Sequence, residues 1–169
     1  EISEKEINLN NFKKTEMSVE KSISYVKGFA IFIKKEEFED IGFFDENFFL
    51  YFEEIDLCKR VIEKGKKIYL TPNALVKHSG GQSHIKSINT PMELSRNWHW
   101  MWSTFYYYKK HKGFIFALLI ISRKFFSSLI KTIFFFLTFQ NKKKEIYKHR
   151  LSGLINSILG KKAWYRPKV

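Results

Sequence analysis

Three acidic residues that could perform acid–base chemistry, Glu53, Glu54 and Asp56, lie close together in the sequence. The amphipathic residues after them end at Gly65. Because glycine adopts the left-handed cap conformation without strain, this pattern predicts a short helix that starts at the acidic cluster. The unpaired backbone N–H groups and the dipole at a helix start favour ionised carboxylates. The preceding residues are aromatic and include Phe48, Phe49, Tyr51 and Phe52. The stretch could therefore supply a carboxylate that acts as a general base in a cleft with aromatic walls.

The same cluster also fits a second interpretation, an ordinary solvated helix start. Asp56 and Arg60 are four residues apart, so on a helix their side chains share a face and can form an ion pair. A short motif without its structural context does not separate catalysis from helix stabilisation. The residues of the cluster leave both interpretations open.

The segment before the cluster predicts a buried strand. Residues 23–34 are rich in β-branched and aromatic side chains, which favour strands. Gly28 lies in the middle of this segment. A glycine inside a strand marks either the close approach of a ligand or backbone, or a bulge or packing position.

Short elements are predicted on both sides of the acidic helix. Residues 35–41 predict a short helix that ends at Gly42. Residues 66–70 and 74–78 predict two short strands around a turn at 71–73, where proline and asparagine are typical turn residues.

A further helix is predicted from Thr90 to about Lys112. Thr90 can serve as the N-cap, with Pro91 at the first helical position and Glu93 completing a capping box. Arg96 follows in the same helix. Alternate spacing on a helix spreads side chains around its circumference, so we interpret the tryptophans of this helix as packing or interfacial anchors. These tryptophans are Trp98, Trp100 and Trp102.

The apolar run over residues 114–139 exceeds the roughly 20 apolar residues that span a bilayer. Arg123, Lys124 and Lys131 interrupt it, and a charge near the bilayer centre costs about 2.5–3.5 kcal/mol. We therefore predict an amphipathic helix that lies in the membrane interface, followed by a second amphipathic helix over residues 146–159. A helical hairpin packed on the rest of the protein is the alternative.

The charge of the chain is unevenly divided. Residues 1–108 carry 15 Lys/Arg and 16 Asp/Glu, whereas residues 109–169 carry 15 Lys/Arg and one acid. A basic segment suits nucleic acid or an anionic membrane surface. Because this segment is also rich in Phe, Leu and Ile, its composition favours the membrane and argues against nucleic acid. The single cysteine, Cys58, excludes an intrachain disulfide and a cysteine-based metal site.

Taken in order, these features resemble one family. The segments VKGFAIFIKK, GFFDENFFLYFEEIDLCKRVIEKGKKIYLTPNALVKHSGGQS and YYYKKHKG look like the C-terminal part of a family 2 glycosyltransferase of the rhamnosyltransferase-like branch. The resemblance implies an α/β fold class, the acceptor-side part of a GT-A fold, over residues 23–113. Residues 1–22 would be a polar lead-in, and residues 114–169 a basic tail of amphipathic, membrane-associating helices.

The resemblance also implies roles for the acidic cluster. Glu54 matches the catalytic base that deprotonates an acceptor hydroxyl in an inverting sugar transfer. Many relatives carry aspartate there, and glutamate is one methylene longer. Glu53 and Asp56 match acidic neighbours that bind acceptor hydroxyls or hold the helix start, and Phe52 offers an aromatic face to the sugar.

Three residues outside the cluster match further positions of the family. His78 matches a position where some relatives use histidine as a ligand of the divalent metal, Mg²⁺ or Mn²⁺, on the diphosphate. Gly28 matches the glycine that lets the donor sugar approach, and Arg96 is a weaker match for diphosphate or acceptor contacts.

The donor half of the family pattern is missing from this sequence. Such enzymes begin with a nucleotide-binding run of β–α units that ends in an Asp-x-Asp motif, and no two aspartates here have that spacing. Since the chain also begins at Glu1, we expect it to be processed, trimmed or a fragment, and to be inactive, or nearly so, by itself. The expected partners are a nucleotide-sugar, a glycan or lipid-linked acceptor and an anionic membrane.

The family's usual setting is cell-surface polysaccharide synthesis, which predicts a peripheral location on the cytoplasmic face of a bacterial plasma membrane. The alternative is a non-catalytic, membrane-bound remnant or partner subunit that retains the acceptor cleft.

Overall fold

The computed structural model of the protein describes residues 21–77 and 89–167. The described part is mostly helical, with one two-stranded sheet. Its elements in chain order are β1 (Lys21–Ile23), α1 (Lys35–Ile41), α2 (Glu53–Glu63), β2 (Ile68–Leu70), α3 (Asn89–Lys112), α4 (Phe114–Leu137) and α5 (Asn141–Ile158).

The predicted strand over residues 23–34 is wrong in extent. The strand β1 pairs antiparallel with β2, with Ser22 opposite Tyr69, and it ends at Ile23. Because β2 has only three residues, it offers no ladder partner beyond that point. The chain then continues irregularly through a turn at Gly28.

The predictions after the acidic cluster are met in part. The strand β2 lies within the predicted range 66–70, and the turn at 71–73 is present, with the Ala74 N–H donating to the Thr71 carbonyl at 3.4 Å. Residues 74–77 do not form the predicted strand. Within the described residues, β2 pairs with β1 alone, so the sheet has two strands.

The two short helices agree with the sequence. Helix α1 covers the predicted residues and ends at Gly42, whose φ of 88° is the left-handed cap conformation that glycine adopts without strain. Helix α2 starts at Glu53, and Gly65 follows it with a φ of 73°. A small core of Ile41, Leu57 and Val61 joins them. The acidic cluster therefore occupies the first turn of a helix that is held in place on one side by α1.

The three long helices pack against one another. Helix α3 ends at the predicted Lys112, but it starts at Asn89, so Thr90 lies inside the helix and not at its N-cap. Met101 and Phe105 of α3, Ala117 and Ile121 of α4 and Leu154 of α5 form a common buried cluster. None of the helices in the described residues combines the length and apolar character needed to cross a membrane.

Helices α3 and α5 come closest at Gly153. A Cβ atom at this position would lie 3.1 Å from the Trp98 carbonyl carbon and still closer to its oxygen. Both atoms belong to the backbone of α3, so they cannot rotate away. A side chain at residue 153 would therefore force the two helices apart.

Replacing Gly153 with alanine should lower the free energy of unfolding by about 2 kcal/mol. Overpacking of this kind costs roughly 1–3 kcal/mol, which exceeds the gain of up to about 1 kcal/mol from alanine's helix propensity. Urea unfolding followed by circular dichroism measures the change. Lys148→Ala, at a position of α5 where the side chain is exposed, is the matched control and should change the stability by less than about 0.5 kcal/mol. Equal stability of the two variants would contradict the close crossing.

Candidate functional site

Glu54 and Gly28 lie in contact. The irregular segment after β1 passes the first turn of α2, and a Cβ atom at Gly28 would lie 3.6 Å from Glu54 Cβ and 3.7 Å from its Cγ and Cδ. The Gly28 backbone N–H also hydrogen-bonds the Glu54 carboxylate. The structure thus brings together two residues to which the resemblance assigned roles, Glu54 as the base and Gly28 as the glycine beside the donor sugar. Gly28 lies in a turn and not in the predicted strand.

The Glu54 carboxyl group is set apart from ordinary surface carboxyl groups by its surroundings. Burial raises the pKa of Glu54 above its usual 4.5, and the neighbouring Glu53 charge adds to the rise, while backbone N–H groups of Glu54 and Gly28 oppose it. A carboxylate with a raised pKa is a better proton acceptor than one at its usual value.

Two carboxylate oxygens of the cluster are buried without a protein donor. Glu53 Oε2 and Glu54 Oε2 are both inaccessible, and neither has a hydrogen-bond partner among the described residues. Buried carboxylate oxygens normally accept hydrogen bonds, so an unsatisfied pair calls for an explanation. A ligand that presents hydroxyl groups would satisfy both only after it displaces the side chains that cover them.

The aromatic loop before α2 is held in a strained conformation by α3. Tyr51 and Phe52 have φ angles of 67° and 72°, in the left-handed region, which costs on the order of 1–3 kcal/mol for each residue and persists only where the surroundings hold it. Their rings pack against Trp100 with centroid distances of 5.2 and 5.4 Å. The Ser103 hydroxyl donates to the Leu50 carbonyl at 2.9 Å. Helix α3 therefore forms one wall of the site.

Arg96 lies one helical turn before Trp100, on the same side of α3. Burial raises the pKa of Tyr51, and the Arg96 charge opposes that rise while the Glu53 charge adds to it. Arg96 is therefore near the loop and the acidic cluster, and its contact with a diphosphate or an acceptor stays a prediction. Trp100 and Ser103 are site residues that sequence reasoning did not find. A sequence pattern could have indicated them. Trp100 follows Arg96 by four residues and Ser103 follows Trp100 by three, so all three lie on one face of the helix.

Asp56 has a structural environment that differs from that of its two neighbours. Its side chain is 0% exposed, and its carboxylate contacts Arg60 Nε at 2.9 Å, Lys110 Nζ at 2.7 Å and His111 Nε2 at 2.7 Å. Arg60 in turn donates to the carbonyls of Ile41 and Phe43. The predicted Asp56–Arg60 ion pair is thus present. Of the two roles that the resemblance left open for Asp56, this environment fits holding the helix start.

A second carboxylate binds the loop to α3. Lys110 Nζ lies 2.7 Å from Asp45 Oδ2, and the Tyr106 hydroxyl donates to the same oxygen at 3.1 Å. Partial burial opposes ionisation of Asp45, but hydrogen bonds from Lys110 and Asn47 outweigh it and lower the pKa of Asp45 to about 2. Burial and the Asp45 charge raise the pKa of Tyr106 to about 12.

The lowered pKa makes the Asp45 contact sensitive to acid. A depressed folded-state pKa contributes stability above the unfolded value of 3.8, and this contribution is lost as the pH falls through about 2. Asp45→Asn should therefore unfold about 1 kcal/mol more easily at pH 5, allowing for solvent screening, with the difference disappearing near pH 2. Urea titrations across this range check it, with Glu46→Gln at the exposed neighbour as control. A difference that did not shrink with falling pH would contradict the contact.

The metal expected from the resemblance is not supported by a ligand cluster in the described residues. Over residues 21–77 and 89–167, no group of three or more His, Cys, Asp or Glu side chains is placed to hold a metal ion. His78, the predicted ligand, lies outside the described residues. The described side chains therefore do not make a metal site by themselves.

Comparison with known proteins links the chain to a distant relative. No family model matches the chain, and no solved structure matches it. The chain is similar to the dTDP-rhamnosyl transferase RfbF of Shigella flexneri, with 29% identity over 133 residues. The match covers 76% of this chain but 44% of that protein, so the chain spans less than half the length of its relative. This similarity indicates a distant relationship to a glycosyltransferase.

Proposed function

We propose that the chain forms the acceptor side of an inverting family 2 glycosyltransferase with a GT-A fold. The observation that carries the proposal is the Glu54 carboxyl group. It is half-buried at the start of α2, its pKa is raised by that burial, and its inaccessible Oε2 has no hydrogen-bond partner among the described residues. The distant similarity to a rhamnosyl transferase supports the same reaction class.

In the proposed reaction, Glu54 is the general base. A sugar hydroxyl is a weak nucleophile, so a carboxylate within about 3 Å must take its proton as the new bond forms. The acceptor oxygen attacks the anomeric carbon from the face opposite the leaving group. The bond from that carbon to the diphosphate breaks, its electron pair leaves with the nucleoside diphosphate, and the proton remains on Glu54. The configuration at the anomeric carbon is thereby inverted.

The neighbouring residues position the acceptor. The unsatisfied Glu53 oxygen accepts a hydrogen bond from an acceptor hydroxyl, and Arg96 donates to the acceptor or to the leaving diphosphate. Tyr51, Phe52 and Trp100 form an aromatic wall that packs on sugar C–H groups and excludes water that would hydrolyse the donor. Asp56 does not touch the acceptor but holds the start of α2 in place through its contacts with Arg60, Lys110 and His111.

The donor is a nucleotide-sugar, and the name of the relative points to dTDP-rhamnose. We propose that a nucleotide-binding part outside this chain, on a longer native protein or on a partner, completes the enzyme. The isolated chain would then be inactive, or nearly so. The divalent metal would be held by an Asp-x-Asp motif of that part together with His78, and Gly28 would let the donor sugar approach.

The proposed setting is cell-surface polysaccharide synthesis on a glycan or lipid-linked acceptor. The enzyme would lie peripherally on the cytoplasmic face of a bacterial plasma membrane. The strongly basic and apolar composition of residues 109–169 supports this location.

The test is sugar transfer by the native-length protein. Purified protein is incubated with radiolabelled dTDP-rhamnose and lipid-linked acceptors extracted from the source membranes, and label in the lipid fraction is measured with and without Mg²⁺. We expect transfer by the native-length protein and little or none by the 169-residue chain. If the native-length protein binds glycan but transfers no sugar from any nucleotide donor, the chain is a non-catalytic remnant or partner subunit instead.

A further inference from the structure

Three polar side chains of helix α4, those of Lys124, Ser128 and Lys131, contact the other helices. Ser128 is buried against the other helices, with 3% of its surface exposed. The Lys124 ammonium lies 5.9 Å from the centre of the Trp100 ring on α3, and the Lys131 ammonium lies 5.0 Å from the centre of the Tyr147 ring on α5. These cation–π contacts hold both lysines on the inner side of the helix.

The opposite side of α4 is exposed and mostly apolar, with Ser122 and Arg123 as its polar residues. Leu119, Phe126, Ile130, Ile133 and Leu137 are 69%, 60%, 64%, 52% and 66% exposed. Their spacing of seven, four, three and four residues places them in a single stripe, which we call the α4 outer face. A surface helix of a water-soluble domain normally shows the reverse polarity, and an apolar stripe of this length marks a contact surface.

We propose that the α4 outer face lies in the plane of an anionic lipid bilayer. The segment that contains α4 carries 15 Lys/Arg and one acid, so its charge complements an anionic membrane surface. Beside the outer face, a groove of about 360 Å³ between α4 and α5 is lined by Ile133 and Phe136 together with Thr132, Lys144, Glu145 and Lys148. Apolar side chains next to lysines suit the boundary between acyl chains and phosphate headgroups.

The same charge argues against a second copy of the chain as the occupant. Two copies joined through their α4 outer faces would bring two segments of net charge +14 together, and like charges in contact oppose association. A bilayer rich in anionic lipid supplies the opposite charge over the whole face. The docked helix then lies along the membrane, as amphipathic basic helices do.

The membrane surface connects to the candidate site through α3. Lys124 of α4 contacts Trp100, and Trp100 packs against Tyr51 and Phe52 in the wall of the site. If the proposed function holds, docking of α4 therefore places the acceptor wall about one helix diameter, roughly 10–12 Å, from the bilayer that would present a lipid-linked sugar. The docking itself does not depend on that function.

The test is flotation of the 169-residue chain with phospholipid vesicles. The outer-face variant is Phe126→Gln/Ile130→Gln, which removes apolar surface without changing the charge. The control is Phe32→Gln/Leu75→Gln, two residues outside α4 that are 100% and 82% exposed. We expect the parent chain and the control to float with vesicles containing phosphatidylglycerol, and the outer-face variant to partition at least about tenfold less. Circular dichroism verifies that all three proteins retain their helix content.

Binding that remains after the salt concentration is raised separates apolar insertion from charge attraction alone. Equal partitioning of the outer-face variant and the control would overturn the proposal, as would a parent chain that does not float. A parent chain that dimerises through α4 in sedimentation experiments, without binding vesicles, would identify a second copy as the occupant. Since no sugar transfer is measured, failure here leaves the proposed reaction unaffected, and failure of the reaction leaves this test unaffected.

Discussion

Replacing Glu54 with glutamine should lower kcat of the native-length protein by roughly 10²–10⁴-fold, the range that a positioned general base contributes. Glutamine keeps the size of the side chain and can still accept the Gly28 backbone hydrogen bond. It cannot take a proton from the acceptor hydroxyl. Because the acceptor still binds, KM should change much less than kcat. Initial rates of transfer from dTDP-rhamnose measure both parameters.

The pH dependence of the parent enzyme provides a second readout of Glu54. A base must be deprotonated to act, and burial raises the pKa of Glu54 above 4.5. Activity should therefore fall as the pH drops through this raised value, and Glu54→Gln should lack that acid limb. Glu63→Gln, at the exposed end of the same helix, is the matched control and should keep the parent rate. Unchanged kcat in Glu54→Gln would assign the base to another residue.

The raised pKa also predicts an effect on stability in the 169-residue chain alone. A carboxyl group whose folded-state pKa is raised stabilises the fold when protonated, and this stability is lost as the pH rises through the folded value. Near neutral pH the buried charge of Glu54 is therefore unfavourable. Glu54→Gln should be at least as stable as the parent in urea unfolding at pH 7, so a loss of activity could not be attributed to unfolding. A clear loss of stability would contradict the partial burial that raises the pKa of Glu54.

The local elements of the site could be predicted from the sequence because they depend on neighbouring residues. Gly42 and Gly65 stop α1 and α2 through a backbone conformation that glycine adopts without strain. The predicted strand over 23–34 failed for the opposite reason. A strand needs a partner, and the three residues of β2 supply one only as far as Ile23.

The division of roles within the acidic cluster could not be predicted. Glu54 and Asp56 look alike in the sequence, and their difference comes from Lys110 and His111, which lie more than 50 residues away along the chain.

The sequence predicts that α4 is amphipathic. The spacing does not say which side faces the protein, because that depends on Trp100 and Tyr147 in other helices.

Replacing Asp56 with asparagine should lower the free energy of unfolding by about 3 kcal/mol. Removal of one partner from a buried ion pair leaves the other charges uncompensated, which costs about 3–5 kcal/mol where the pair is fully buried. Asp56 itself is 0% exposed, but Arg60 and Lys110 retain 19% and 28% exposure, so water screens part of the loss. Asparagine has the same shape, so the change tests the charge and not the packing.

The loss should spread beyond α2 because Arg60 depends on Asp56 for its position. Arg60 donates to the carbonyls of Ile41 and Phe43, and these bonds join the end of α1 to α2. Amide hydrogen exchange should therefore quicken at the end of α1 as well as in α2. Glu63→Gln removes the exposed Lys59–Glu63 pair of the same helix and should cost less than about 1 kcal/mol. If Asp56→Asn were as stable as Glu63→Gln, the cost of desolvating the cluster would equal its attraction, and Asp56 would be free for another role.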